Sequence, residues 1–179
     1  MPSRRSDLSE LIAGLNEDLA NEYASVIQYR TYASTVRGPH RLTLRPFFEG
    51  EVADELSHAG LLADRIAAFG GTPTTRPAHV STASTALEML QQAHQAELGA
   101  LARYVARREQ AEAVGEHGLA VSLDDVIADE TRHRDEMQLM IQGWEDAAHQ
   151  GDEARERARS EPARRKATVH DREVTTSAR

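Results

Sequence analysis

The chain has 179 residues, 40% of them hydrophobic and 4% aromatic, with 21 Lys and Arg against 29 Asp and Glu for a net charge of −8. The absence of cysteine excludes disulfides, thiolate metal sites, iron–sulfur clusters and cysteine nucleophiles. The length suits one domain plus a tail, and no apolar run approaches the about 20 residues that span a bilayer. The acidic surplus argues against nucleic acid as the main partner and fits a protein that handles cations. The opening stretch, MPSRRSDLSE, lacks the apolar centre of a secretory signal, so a cytoplasmic location is expected.

Proline and glycine cluster at Gly38–Pro39, Gly70–Gly71–Thr72–Pro73, Pro77, Gly115 and Gly118. Between them run long stretches of helical period with no strand signal. The spacing predicts helix α1 over 7–37, α2 over 44–69, α3 over 83–113 and α4 over 119–149. Pro46 then falls in the first turn of α2, where its missing N–H costs little, and Gly70 closes that helix. Short α1–α2 and α3–α4 connections make two antiparallel hairpins. The longer stretch 70–82 can cross the length of a bundle and set α2 and α3 parallel. The expectation is an all-α four-helix bundle with a long α2–α3 crossover over residues 1–150. Residues 151–179 carry eight Lys or Arg, six Asp or Glu and almost no large apolar side chain. Such a segment cannot bury enough to order itself. Its first turns can extend α4 as a charged helix, and disorder is expected beyond.

Steps of four and three trace an apolar seam along each helix. In α1 it runs Leu8, Ile12, Leu15, Leu19, Glu22, Val26, Tyr29, Ala33, Val36, and in α2 Leu44, Phe48, Glu51, Glu55, His58, Leu62, Ile66, Phe69. In α3 it runs Leu87, Leu90, His94, Glu97, Leu101, Tyr104, Arg108, Ala111, and in α4 Leu119, Leu123, Val126, Glu130, His133, Met137, Met140, Trp144. Each helix thus points acid into the core at half height. Four buried carboxylates at one level would repel one another and resist ionisation. Arg108 is too far along α3 from Glu97 to neutralise it. Two divalent cations would balance four carboxylates, and Glu-x-x-His sets both donors on one helix face within reach of one ion.

The chain also repeats itself. Asp54-Glu55-Leu56-Ser57-His58 is echoed by Asp129-Glu130-Thr131-Arg132-His133. Glu22 to Glu55 and Glu97 to Glu130 are both 33 residues, and Tyr29 and Tyr104 each lie seven after a seam glutamate. Two hairpins presenting matching donors are what a pseudo-twofold dimetal site requires. Glu51, one turn before Glu55, reads as a solvated group at the end of the seam rather than an auxiliary ion-transit carboxylate. Tyr29 and Tyr104 either fill core space or hydrogen-bond the ligating carboxylates.

This pattern resembles the ferritin-like superfamily, and among its members bacterioferritin. Asn21-Glu22-Tyr23 through Gln28-Tyr29, Asp54-Glu55-Leu56-Ser57-His58-Ala59, Asp129-Glu130 with His133, and Glu97 are similar to that family's motifs on the four helices. The resemblance covers residues 7–145. It implies two iron ions per chain, with Glu22 and Glu97 as terminal ligands, Glu55 and Glu130 as bridges, and His58 and His133 one on each ion. It also implies ferroxidase chemistry, in which two Fe²⁺ are oxidised together by O2 or H2O2 and the ferric product is stored or released. Leu56 stands where bacterioferritins carry their haem-ligating methionine, which argues against haem there. The charged run GDEARERARS stands where they carry a partly apolar fifth helix, so a dimer and a 24-subunit cage both stay open. Manganese suits the same donors. Readings as a rubrerythrin-like peroxidase, a manganese catalase or a diiron oxidase also stay open, as does a non-catalytic metal buffer or DNA-protective protein acting through the Arg-rich tail. Off the seams, Tyr23, Ile27 and Tyr32 on α1 with Phe47, Val52 and Leu56 on α2 form an apolar face, which predicts a homo-oligomer, at least a dimer, through the α1–α2 surface.

Overall fold

In the computed structural model the backbone is described for residues 4–174 and side chains for 7–159. Four helices follow in order, α1 Arg4–Thr35, α2 Arg41–Ala68, α3 Ala86–Val114 and α4 His117–Val174, with no strand among the described residues. The chain divides into two compact units, Met1–Leu139 and Met140–Arg179. No described helix is long and apolar enough to cross a membrane.

The first unit holds the bundle. Glu22 lies beside Tyr104, and Asp18 beside Arg107, while Tyr29 lies beside Glu97. Numbers rise on α1 as they fall on α3, so the two run antiparallel. Tyr29 stacks on Phe48 at 6.1 Å and Glu22 Oε2 lies 3.8 Å from His58 Nδ1, so numbers rise on α2 as they fall on α1 and the two run antiparallel. The stretch between α2 and α3 climbs back along α1: Thr74 N–H donates to Asn16 Oδ1, Ala78 N–H donates to the Ala20 carbonyl, and Tyr32 lies against Ser81. That climb returns the chain to the level where α2 began, so α2 and α3 are parallel, as the length of this connection predicts.

Local chemistry fixes the ends. Thr85 and Glu88 form a reciprocal capping box at the start of α3, with Thr85 Oγ1 accepting from Glu88 N–H and the Glu88 carboxylate accepting from Thr85 N–H. α3 ends at Gly115 in the left-handed region, φ 84°, where any Cβ would strain the backbone. Gly70, φ 79°, closes α2 as expected, with Gly71 N–H donating to the Ile66 carbonyl. α2 begins at Arg41 rather than 44, which moves Pro46 out of the first turn and into the helix. The carbonyl left without its intrahelical donor is that of Leu42, which is 89% exposed, so water can serve it.

The core is aliphatic: Leu11, Leu15, Leu19, Leu62, Ile66, Leu119 and Leu123 are fully or almost fully buried. Two seam readings need correction. On α3 Arg107, not Arg108, enters the interior. Its Nε donates to Asp18 Oδ2 at 2.7 Å with Asp18 completely buried, while Arg108 pairs with Asp124 at the surface. On α1 Tyr32 is 1% exposed, because its hydroxyl donates to Gln92 Oε1 at 2.8 Å under the crossover, so it does not belong to the outer apolar face.

In the second unit the backbone of α4 continues helical from Met140 to Val174. Residues 145–159 are exposed, and pairs such as Arg155–Asp152 and Arg157–Glu153 are local ion pairs along the helix. The backbone of residues 151–174 is helical, in keeping with a charged tail whose first turns extend α4, and 175–179 lie outside the described residues.

Candidate metal centre

At half height the four helices turn a set of acids and imidazoles toward one another. Two groups of ligand atoms gather there, each within 4.8 Å of one another: Glu22, Glu55, His58 and Glu130 in one, Glu51, Glu97 and His133 in the other. All seven residues are buried. All six residues expected as ligands are thus brought together, and Glu51 joins them. Glu51 is not a solvated end-of-seam group: it is 5% exposed, and the core continues past it to Phe48 and Leu44.

The first group centres on His58. Its Nδ1 lies 3.1 Å from Glu130 Oε1, 3.7 Å from Glu55 Oε2 and 3.8 Å from Glu22 Oε2. The second centres on His133, whose Nδ1 lies 3.1 Å from Glu51 Oε2 and 3.7 Å from Glu130 Oε2. Glu130 therefore offers one oxygen to each imidazole, the placement of a bridge. Glu55 falls with the first group.

Two tyrosines anchor the outer carboxylates. Tyr104 donates to Glu22 Oε1 at 2.6 Å, and Tyr29 donates to Glu97 Oε1. In both cases the other oxygen, Oε2, has no hydrogen-bond partner. Burial, followed by the charge of nearby carboxylates, pushes both phenols well above their ordinary pKa, so both stay protonated donors.

Two aspartates flank the imidazoles from outside. Asp54 Oδ2 lies 3.2 Å from His133 Nε2, and Asp129 Oδ2 lies 3.7 Å from His58 Nε2. Each aspartate reaches across the α2–α4 pair to the histidine of the opposite helix, and Arg132 bridges the two aspartates at 3.4 and 3.5 Å. His133 Nε2 also lies 3.0 Å from the Arg132 guanidinium; with the Nε2 proton directed at Asp54, Nδ1 is the electron pair that faces inward, while Asp129 stands beyond hydrogen-bond distance of His58. The repeated Asp-Glu-x-x-His already contained both residues; their role across the helix pair becomes visible only in three dimensions.

The electrostatics of this cluster call for cations. Burial raises Glu22 and, with the charge of Glu22, lifts Glu55 well above the carboxylate range. Burial pushes Glu97 to about 11 and Glu51 to about 7. Glu130, which burial alone would raise, is held below its ordinary value by Glu97, His133 and His58 around it. Both histidines are raised: burial opposes their charge, but Glu130 and the neighbouring acids outweigh it. Glu22 Oε2, Glu51 Oε2, Glu97 Oε2, both Glu130 oxygens and Nδ1 of both histidines are buried with no hydrogen-bond partner. Orphaned acceptors at such density are costly unless something positive sits among them. Carboxylate oxygen with imidazole nitrogen is the donor chemistry of first-row divalent metals, so the residues present fit a pair of such ions. On the outer side, a cavity of about 320 Å³ lined by Asp54, Asp125, Asp129, Ser57 and Ser122 opens onto His58.

Comparison with known proteins agrees with this geometry. A family model described as a ferritin-like domain matches residues 12–147. A bacterioferritin of Streptomyces coelicolor is 30% identical over 133 residues, covering 74% of this chain and 80% of that protein. A crystal structure of a ferritin-like, diiron-carboxylate protein from Bacillus anthracis superposes with a TM-score of 0.75 at 47% identity, over 79% of this chain and 99% of that one. A Dps protein from Bacillus brevis shares the fold at a TM-score of 0.70 and 20% identity, over 79% of this chain and 99% of that one.

Proposed function

Because the chain belongs to the ferritin-like family, we propose that its central cluster takes up two Fe²⁺ ions and oxidises them with O2 or H2O2, serving iron storage or detoxification. The observation that carries this reading is the set of seven buried, unpartnered donor atoms contributed by Glu22, Glu51, Glu97, Glu130, His58 and His133. The names of two similar proteins, a bacterioferritin and a diiron-carboxylate protein, support iron over other cations.

In the oxidation each Fe²⁺ gives up one electron, and the pair reduces O2 to peroxide or peroxide to water. The protein's part is binding, orientation and proton handling. Tyr104 and Tyr29 fix Glu22 and Glu97 so that the free oxygen of each faces inward. Asp54 aims the Nδ1 of His133 inward. Protons carried by Glu55 and Glu97, both raised by burial, leave when cations enter.

The reading extends to assembly. Leu56, 52% exposed, and Ile27, 44% exposed, with the half-buried Tyr23, Phe47 and Val52, leave an apolar face on α1 and α2 that suits a homodimer at least. Residues 1–150 would form the dimetal bundle and 151–179 a charged tail.

The test is anaerobic loading with Fe²⁺ followed by addition of O2 or H2O2, with ferric absorbance and oxidant consumption recorded. Two Fe²⁺ oxidised rapidly per chain, with the fast phase lost in Glu130→Ala, support the reading. Oxidation no faster than in buffer, or a fast phase intact in Glu130→Ala, would refute it.

A further inference from the structure

The two hairpins are related by a displacement of 75 residues that carries each element of the centre onto an identical one: Glu22 onto Glu97, Tyr29 onto Tyr104, Asp54 onto Asp129, Glu55 onto Glu130 and His58 onto His133. Glu51 breaks the rule, because its counterpart is Val126. Both sit in the interior, Glu51 at 5% and Val126 at 4% exposure. One half of the centre therefore has a carboxylate where the other half has a hydrocarbon.

Glu51 is aimed at the donors of that half. Its Oε2 lies 3.1 Å from His133 Nδ1, the ring nitrogen that faces the interior, and it groups with Glu97. Neither Glu51 Oε2 nor Glu97 Oε2 nor His133 Nδ1 has a hydrogen-bond partner. A buried carboxylate directed at an imidazole and a second carboxylate is costly unless a metal ion or bound protons sit among the three.

We propose that Glu51 is a ligand to the cation held by Glu97 and His133, supplying the carboxylate that this position lacks because Glu55 lies with the other. The inference rests on the dimetal reading and deepens it. Glu55 falls with Glu22, His58 and Glu130, so without Glu51 the His133 side would be one carboxylate short. With Glu51, and with one oxygen of Glu130 facing each histidine, each side has three carboxylates and one imidazole.

Co²⁺ is a suitable probe, since its visible absorption reports coordination and it does not turn over. Titration of the full chain should fill two positions. Glu51→Val, which restores the repeat, should weaken one binding step at least tenfold, change the Co²⁺ spectrum of that step, and leave the other step within twofold. Glu51→Gln keeps the shape of the side chain and should weaken the same step. Two Co²⁺ bound with unchanged affinities and spectra in both variants would overturn the inference while leaving the dimetal reading intact. Equal weakening of both steps would overturn the assignment of Glu51 to one position. A wild-type chain that binds no Co²⁺ would overturn both readings.

Discussion

Replacing Tyr104 with Phe removes one hydroxyl from the centre of the bundle and leaves the ring's packing in place. Tyr104 is fully buried, and its hydroxyl donates to Glu22 Oε1 at 2.6 Å. A hydrogen bond to a charged acceptor contributes about 1.5–3 kcal/mol net. That contribution is largest when Glu22 is ionised, which is its state when a cation is bound. In the metal-free protein burial already favours the protonated acid, so less is lost there. The difference appears as weaker cation binding. Removing a partner that orients a metal ligand typically costs about 10–100-fold in affinity, or about 1.4–2.7 kcal/mol at 1.36 kcal/mol per decade, within the range set by the hydrogen bond. Competition of Zn²⁺ or Co²⁺ against a chromophoric chelator measures the affinity, and thermal melting of the metal-free variant checks that the fold persists. Tyr29→Phe should act the same way through Glu97 on the other ion, and the two effects should add. If Tyr104→Phe retains affinity within twofold in an intact fold, the tyrosine fills space and does not hold the ligand.

Two further outcomes follow from the same interior. Arg107→Leu leaves the completely buried Asp18 with Arg103 alone, 3.6 Å away, and should cost about 3 kcal/mol in urea unfolding, the low end for breaking a buried pair; Asp18→Leu combined with Arg107→Leu should recover much of that loss, and a single-variant cost below about 1 kcal/mol would show the pair to be incidental. The metal-free protein should lose stability as pH rises from 5 to 8, because the folded state holds protons more tightly than the unfolded chain. Glu51, raised by burial to about 7, stabilises fully below its unfolded value near 4.3 and loses that contribution as pH passes 7. His58 and His133, raised by Glu130 and its neighbours against the opposing effect of burial, act in the same direction at the upper end of the window. Cation affinity should rise over the same range as those protons are displaced; a melting temperature of the chelator-treated protein that climbs from pH 5 to 8 would contradict the assignment.

The helices and the six acids and imidazoles of the centre were legible because a helix of known period leaves few ways to place Glu-x-x-His. What escaped reading depends on neighbours distant in sequence. From Tyr104 a step of three reaches Arg107 and a step of four reaches Arg108. Asp18 on α1 decides between them by supplying a buried acceptor, and nothing within α3 signals that. Glu51 was recoverable: Phe48 and Leu44 precede it on the same seam, so the interior had to continue beyond it, and Phe48 closes that end against Tyr29, Tyr32 and Phe47. Asp54 and Asp129 act across the α2–α4 pair, a relation between helices that spacing along one chain does not reveal. The segment after Gly151 was legible as a charged tail extending α4 from its lack of large apolar side chains, and its charged pairs three and four residues apart each add a few tenths of a kcal/mol.

The central claim is that this bundle holds two cations among Glu22, Glu51, Glu55, His58, Glu97, Glu130 and His133. Crystals soaked anaerobically in Fe²⁺ and measured at the iron absorption edge test it directly. The expected anomalous map has two peaks per chain, about 3.5–4 Å apart, one beside His58 Nδ1 and one beside His133 Nδ1, with a Glu130 oxygen facing each. A single peak, or peaks only at surface acids such as Asp125 and Asp129, would contradict it.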